Sequence, residues 1–193
     1  MEIGIDSQEP LASDALVILG FEGNAPEQIQ DARIQELYAS GEFRGKPGES
    51  AVLHGTAGGA KRLVLAGAGD RNKFTANEMR NTAGAIVRTL KSKGVKTITL
   101  DVTAFPGDEF SRAAAEGAVV GDFEPDRYKT DPKKHDQKVQ SFTIRGGSGS
   151  AADQGRILGD AQNFSRSLAN EPGNLLTPTR LAERAREMAG HYG

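Results

Sequence analysis

Short apolar runs alternate along the chain with longer stretches in which apolar residues recur every three or four positions. Continuous apolar or β-branched runs between turn residues are typical of strands, and recurrence at three and four positions is typical of helices. The runs predict strands at residues 15–21 (ALVILGF), 51–54, 62–66, 96–102 (KTITLDV) and 138–145. The helical spacing predicts helices at residues 26–40, 75–93, 109–120 and 151–168.

Several predicted helix ends carry their own signals. Residues 75–78 (TANE) have the capping-box pattern that begins a helix. Helical spacing then continues through Met79, Ala83, Ile86, Val87 and Leu90. Gly41, Gly94 and Gly121 are interpreted as helix stops, because glycine adopts the left-handed conformation that ends many helices.

The alternation of strands and helices predicts an α/β fold, with a mixed, mainly parallel sheet covered by helices on both faces. Residues 146–150 (GGSGS) have the composition of a linker and predict the end of a first domain at residues 1–150. A connecting helix is predicted over residues 151–170. Its apolar stripe consists of Ile157, Ala161, Phe164 and Leu168.

Residues 171–193 are predicted to be the first segment of a second domain. Thr177 suits an N-cap and Pro178 suits the first helical position, so a helix begins here. Leu181, Ala185 and Met188 then form an apolar stripe with little following chain to cover it. We expect this segment to be weakly held, swapped, or packed on another copy.

Composition limits the classes of function. The formal net charge of −2 disfavours nonspecific nucleic-acid binding, which needs a basic surface. The chain contains no Cys, so disulfides, thiol nucleophiles and Cys-type zinc sites are excluded. Neither a membrane-spanning apolar run nor a signal peptide is recognisable, which predicts a cytoplasmic protein without membrane partners.

Two glycine-rich segments approach phosphate-binding motifs and depart from both. Residues 67–70 (GAGD) follow a predicted strand, but Asn72 stands where a dinucleotide fingerprint needs its third glycine. Residues 55–62 (GTAGGAKR) resemble a Walker A loop with Ala60 and Arg62 at positions that require Gly and Ser or Thr. A tight turn with positive φ and a hairpin turn, respectively, are the preferred interpretations.

The remaining candidate chemistry is also weak. Asp122, Glu124 and Asp126 alternate like calcium ligands, but Arg127 and Lys133 replace the loop glycine and the bidentate glutamate. His54, His135 and His191 are too far apart for a metal-binding motif. Ser148 lacks the second glycine of a nucleophile elbow. The sequence therefore predicts no catalytic, cofactor-binding or metal-binding residue in this chain.

Three segments carry a resemblance to one family. Residues 170–178 (NEPGNLLTP), followed by Leu181-Ala182, resemble the start of the catalytic half of the leucyl (cytosol) aminopeptidases, the M17 metallopeptidases. Residues 114–118 with 128–131, and residues 155–166 (GRILGDAQNFSR), resemble the N-terminal domain and connecting helix of the same family.

The resemblance implies a macro-domain-like N-terminal domain whose parent protein releases N-terminal amino acids from peptides. In the family, two divalent metal ions, zinc or manganese, activate water in the C-terminal domain. The signature Asn-Thr-Asp-Ala-Glu-Gly-Arg is absent from this chain, so no catalytic residue is carried over. The implied partners are the chain's own catalytic domain and further copies in a hexamer. The implied role is assembly or regulation of access to the active site.

Two other functions remain open at this stage. A macro-like module could bind ADP-ribose or a related nucleotide through the glycine loops. A free-standing interaction domain unrelated to peptide cleavage is the third possibility.

Overall fold

The computed structural model describes residues 1–6, 13–26, 29–125 and 138–192, without the side chains of Thr56, His191 and Tyr192. The strands are β1 (Glu2–Asp6), β2 (Ala15–Phe21), β3 (Ser50–Ala57), β4 (Ala60–Gly69), β5 (Thr97–Asp101) and β6 (Ser141–Arg145). The α-helices are α1 (Ala32–Ser40), α2 (Ala76–Ser92), α3 (Asp108–Asp122), α4 (Gly149–Ala169) and α5 (Pro178–Tyr192). A short 3-10 helix spans Arg71–Lys73.

The six strands form one sheet in the order β1-β6-β5-β2-β4-β3. Every neighbouring pair is parallel except β3 and β4, which form an antiparallel hairpin at one edge. The predicted mixed, mainly parallel α/β sheet is therefore confirmed. Strand β1 was not predicted, because its sequence EIGID has only two large apolar residues. Strand β1 pairs in parallel with β6 and forms the edge of the sheet opposite to β3.

Both faces of the central strand β2 are buried, which explains its uninterrupted apolar sequence. Leu16 and Ile18 pack on one face with Ile34 of α1 and Phe43. Val17 and Leu19 belong to the larger core on the other face, beneath α2, α3 and the beginning of α4. Strand β2 thus anchors two hydrophobic cores.

Helix α2 matches its sequence signals. Thr75 is the N-cap, and its capping box with Glu78 is complete. The residues predicted for the apolar face are all buried: Met79, Ala83, Ile86, Val87 and Leu90.

Other element boundaries differ from the predictions. The helix predicted at residues 26–40 begins only at Ala32, because the Asp31 carboxylate caps it by accepting from the Arg33 amide at 3.0 Å. Gly41 ends that helix in the left-handed conformation, as predicted. The β3–β4 hairpin is longer than predicted, and β6 begins at Ser141 rather than Lys138.

Gly121 was wrongly interpreted as a helix stop, since α3 continues to Asp122. A Cβ atom at Gly121 would collide with the backbone of Gly84 in α2. One at Gly117 would collide with the Arg80 carbonyl. These glycines therefore allow α2 and α3 to approach backbone to backbone, and turn formation is not their role here.

Helix α4 confirms the predicted helix after the glycine-serine segment. It packs on α3 through Gly155, beside the Arg112 carbonyl, and through Gly159, beside Val119. Ala151 and Ala152 complete its buried side. The division of the chain at residue 150 stays a prediction.

The apolar stripe predicted on α4 lies on the opposite side. Ile157 is 59% exposed and Phe164 is 37% exposed. Every described side chain of α5 is exposed as well, including Leu181 and Met188. The two helices thus expose apolar side chains of the kind that normally face a core.

We predict that Gly117→Ala lowers the free energy of unfolding by about 1–3 kcal/mol, because the added methyl group forces α2 and α3 apart. Gly190→Ala is the matched control, because Gly190 is a helical glycine with open space around it. Urea denaturation of both variants measures the difference. Equal stability of Gly117→Ala and the unmodified chain would contradict the close helix contact.

Candidate functional site

The Walker-like segment forms the β3–β4 hairpin, which confirms the preferred interpretation. Gly58 and Gly59 occupy its turn with φ values of 57° and 90°. The Lys61 ammonium donates to Asp14 Oδ1 at 2.7 Å. This hydrogen bond, with the amides of Lys96 and Thr97, holds the pKa of Asp14 at about 2. Lys61 is therefore paired with a carboxylate that joins the hairpin to the beginning of β5.

Residues 67–69 lie inside β4 and not in a loop, which corrects the predicted placement. The Gly67 amide donates to the Glu49 carbonyl at 2.8 Å, and the Gly69 amide donates to the Gly45 carbonyl at 2.7 Å. Gly69 has a φ of 82°, so the expected positive φ is present at that residue. The amides of Gly67 and Gly69 are therefore already bound to backbone oxygen atoms.

Ligands of open α/β sheets usually bind at the carboxyl ends of the strands, where successive connections diverge. Here the chain leaves β2 towards β3 and β4, and leaves β5 towards β6, so the connections diverge between β2 and β5. Four aromatic rings meet at this position: Phe21, Phe74, Phe105 and Phe110.

The rings of this aromatic cluster are in mutual contact, with centroids 5.2 Å apart for Phe21 and Phe74 and 5.1 Å apart for Phe105 and Phe110. The Arg71 guanidinium lies 5.1 Å from the Phe21 centroid and 5.6 Å from the Phe105 centroid. The aromatic cluster was not predicted from the sequence. Its only signal is that three of these phenylalanines end or closely follow strands.

The acidic pair at the end of α3 is engaged by a lysine. The Lys91 ammonium lies 3.3 Å from Asp122 Oδ1 and 3.8 Å from Glu124 Oε2. It also donates to the Asp122 carbonyl at 2.8 Å. Asp126, the third residue of the calcium-like pattern, lies outside the described residues. Asp122 and Glu124 are thus both paired with Lys91 of α2.

Of the three histidines, His54 is the one whose side chain the structure describes. His54 lies in β3 opposite Arg62, and its carbonyl accepts from Arg33 at 2.6 Å. His135 falls outside the described residues, and the side chain of His191 is not described.

Ser148 occupies the N-cap position of α4 without a side-chain capping bond, and its amide donates to Ser111 Oγ at 3.1 Å. The Ser148 hydroxyl lies 3.4 Å from the hydroxyl of Ser150. This serine therefore belongs to a helix end, where it links α4 to α3.

Within the described ranges, no three His, Asp or Glu side chains converge so as to hold a metal ion. The carboxylates of Asp122 and Glu124 both face the Lys91 ammonium. The described residues therefore do not fit the pair of divalent metals that the resemblance implies for the parent protein. Among the helices that the structure describes, none is long and apolar enough to cross a membrane.

Comparison with known proteins shows the family to which the chain is related. Residues 8–132 match the model of the cytosol aminopeptidase family, N-terminal domain. A probable cytosol aminopeptidase of Solibacter usitatus is 46% identical over 100% of this chain and 41% of its own length. That of Koribacter versatilis is 36% identical over 100% of this chain and 44% of its own. The chain spans less than half the length of these relatives.

Solved structures share the fold. The bottromycin maturation enzyme BotP in complex with Mn superposes with a TM-score of 0.74 at 26% identity, over 93% of this chain and 37% of that one. A mutant of tomato leucine aminopeptidase superposes with a TM-score of 0.75 at 23% identity, over 100% of this chain and 42% of that one. The family match, the curated relatives and the shared fold agree with one another. The chain therefore belongs to the cytosol aminopeptidase family and corresponds to its N-terminal domain.

Proposed function

We propose that this chain is the noncatalytic N-terminal domain of a metal-dependent aminopeptidase. The observation that carries the proposal is the match of the whole chain to only 41% of the Solibacter usitatus relative. The remaining part of such a protein would supply two divalent metal ions, zinc or manganese, and the residues that bind them. The ion pairing of Asp122 and Glu124 with Lys91 supports placing the metals outside the described residues.

The proposed role of the chain is assembly of the enzyme or control of access to its active site, in a cytoplasmic homo-oligomer. The exposed apolar side chains of α4 and α5 support a partner-binding role, because contiguous exposed apolar surface commonly marks a protein contact. We assign no catalytic step to any side chain that the structure describes.

A nucleotide-binding module is the alternative function, and the geometry disfavours it. The amides of Gly67 and Gly69 are bound by carbonyl oxygens, and Lys61 is bound by Asp14. The carboxyl-end position between β2 and β5 is filled by the aromatic cluster. A phosphate would have to displace these contacts, whereas tight anion sites present several free amides.

We predict that the purified chain does not hydrolyse leucyl-p-nitroanilide, with or without added Mn²⁺ or Zn²⁺. Fusion to the part of the Solibacter usitatus relative that follows the matched region should give metal-dependent hydrolysis. Release of p-nitroaniline measures both reactions. Turnover by the chain alone that a chelator abolishes, or a folded fusion that is inactive with metal, would overturn the proposed function.

We also predict no tight binding of ADP-ribose or ATP in titration calorimetry. The Gly67 and Gly69 amides are bound to carbonyl oxygens, and residues 55–62 belong to a hairpin of two strands and not to a helix N-terminus. Gly58→Val and Gly69→Val are the diagnostic variants. Binding with a dissociation constant in the low micromolar range that either variant abolishes would favour the nucleotide-binding module instead.

A further inference from the structure

The outward side of α4 carries the exposed residues Ile157, Ala161 and Phe164 and the half-buried Leu168, here called the outer stripe. We propose that the outer stripe is the surface on which the C-terminal part of the same polypeptide docks. This inference rests on the proposed function, because it requires that such a part exists. It adds the residues of the chain that hold the two parts together.

The spacing of the outer stripe makes it one face of the helix. Successive residues of an α-helix are rotated by about 100°, so steps of four, three and four residues return to the same side. Gly155 and Gly159, which contact α3, lie nearly opposite. The helix is therefore two-sided, with small residues towards its own domain and large apolar residues away from it.

Large exposed apolar side chains are concentrated in this part of the chain. Seven large apolar side chains are exposed among the described residues, and one of them, Ile5, belongs to the sheet. The other six lie on or between α4 and α5: Ile157, Leu158, Phe164, Leu175, Leu181 and Met188. Scattered exposure would need no explanation, but concentration in one region indicates a contact surface.

Charged side chains border the outer stripe on one flank. The Arg156 guanidinium lies 3.2 Å from Asp160 and 3.8 Å from Asp153, and all three residues lie on the same helix. Protein interfaces commonly combine an apolar centre with a polar rim of this kind. The outer stripe thus has the arrangement of an interface.

The greater length of the relatives points to their C-terminal part as the partner of the outer stripe. The family's N-terminal domain model ends at residue 132, whereas the Solibacter usitatus relative matches the whole chain, including α4 and α5. These helices therefore correspond to the region between the N-terminal domain and the rest of the relative. A single helical stripe is narrow for a stable dimer, which typically buries roughly 800 Å² on each partner. Two parts of one polypeptide need less buried area, because their covalent connection raises the effective concentration of one part at the surface of the other.

The test compares the isolated chain with its fusion to the C-terminal part of the Solibacter usitatus relative. Hydrogen exchange of the α4 amides from residue 157 to residue 168 should slow by about tenfold or more in the fusion, because docking suppresses local opening of the helix. Phe164→Asp and Ile157→Asp should each remove that protection. In the isolated chain Ile157→Asp should leave the melting temperature unchanged, since Ile157 is 59% exposed there.

Gln162→Asp is the matched control, because it adds the same charge at an exposed position of α4 outside the outer stripe. It should leave the protection intact. An active fusion in which Phe164→Asp and Gln162→Asp have equal effects would overturn the docking surface and leave the proposed function standing. Self-association of the isolated chain that Phe164→Asp abolishes, with no extra protection in the fusion, would assign the outer stripe to a second copy. A folded but inactive fusion would count against the proposed function, and the docking surface would fail with it.

Discussion

Close backbone contact between three helices is the constraint on which the rest of the structure depends. Gly117 and Gly121 of α3 lie directly against α2, and Gly155 of α4 lies directly against the backbone of α3. A side chain at any of these positions would collide with backbone atoms, which cannot move aside individually. The three helices can therefore stack in one layer only because these positions carry no Cβ atom.

This stacking determines what α4 exposes. A helix that packs through glycine and alanine must place its larger residues elsewhere, and in α4 Ile157, Leu158 and Phe164 are exposed. The same chain fills the divergence point between β2 and β5 with phenylalanines, at the edge where related architectures commonly bind ligands. Both features favour a domain that contacts protein over one that binds a small molecule.

The sequence predicts the elements whose signals are local. The apolar run of β2 and the capping box at Thr75 depend on neighbouring residues only, and both predictions were confirmed. Strand β1 was missed because its sequence has only two large apolar residues and its pairing with β6 is distant in sequence. The predictions at Gly121 and Gly67 were wrong, since a glycine required by a close tertiary contact looks the same in sequence as one required by a turn. The aromatic cluster was not predicted either, because its four phenylalanines come together only after folding.

Thiol labelling tests most directly the claim that α4 turns its large apolar side chains away from its own domain. The natural chain has no cysteine, so each single-cysteine variant reports on one position. Ile157→Cys should react with a soluble thiol reagent as fast as an unfolded control peptide. Ala152→Cys, at a position that is 2% exposed, should react about a hundredfold more slowly, because labelling there requires local opening. Equal rates at the two positions, or faster labelling at residue 152, would contradict the orientation of α4.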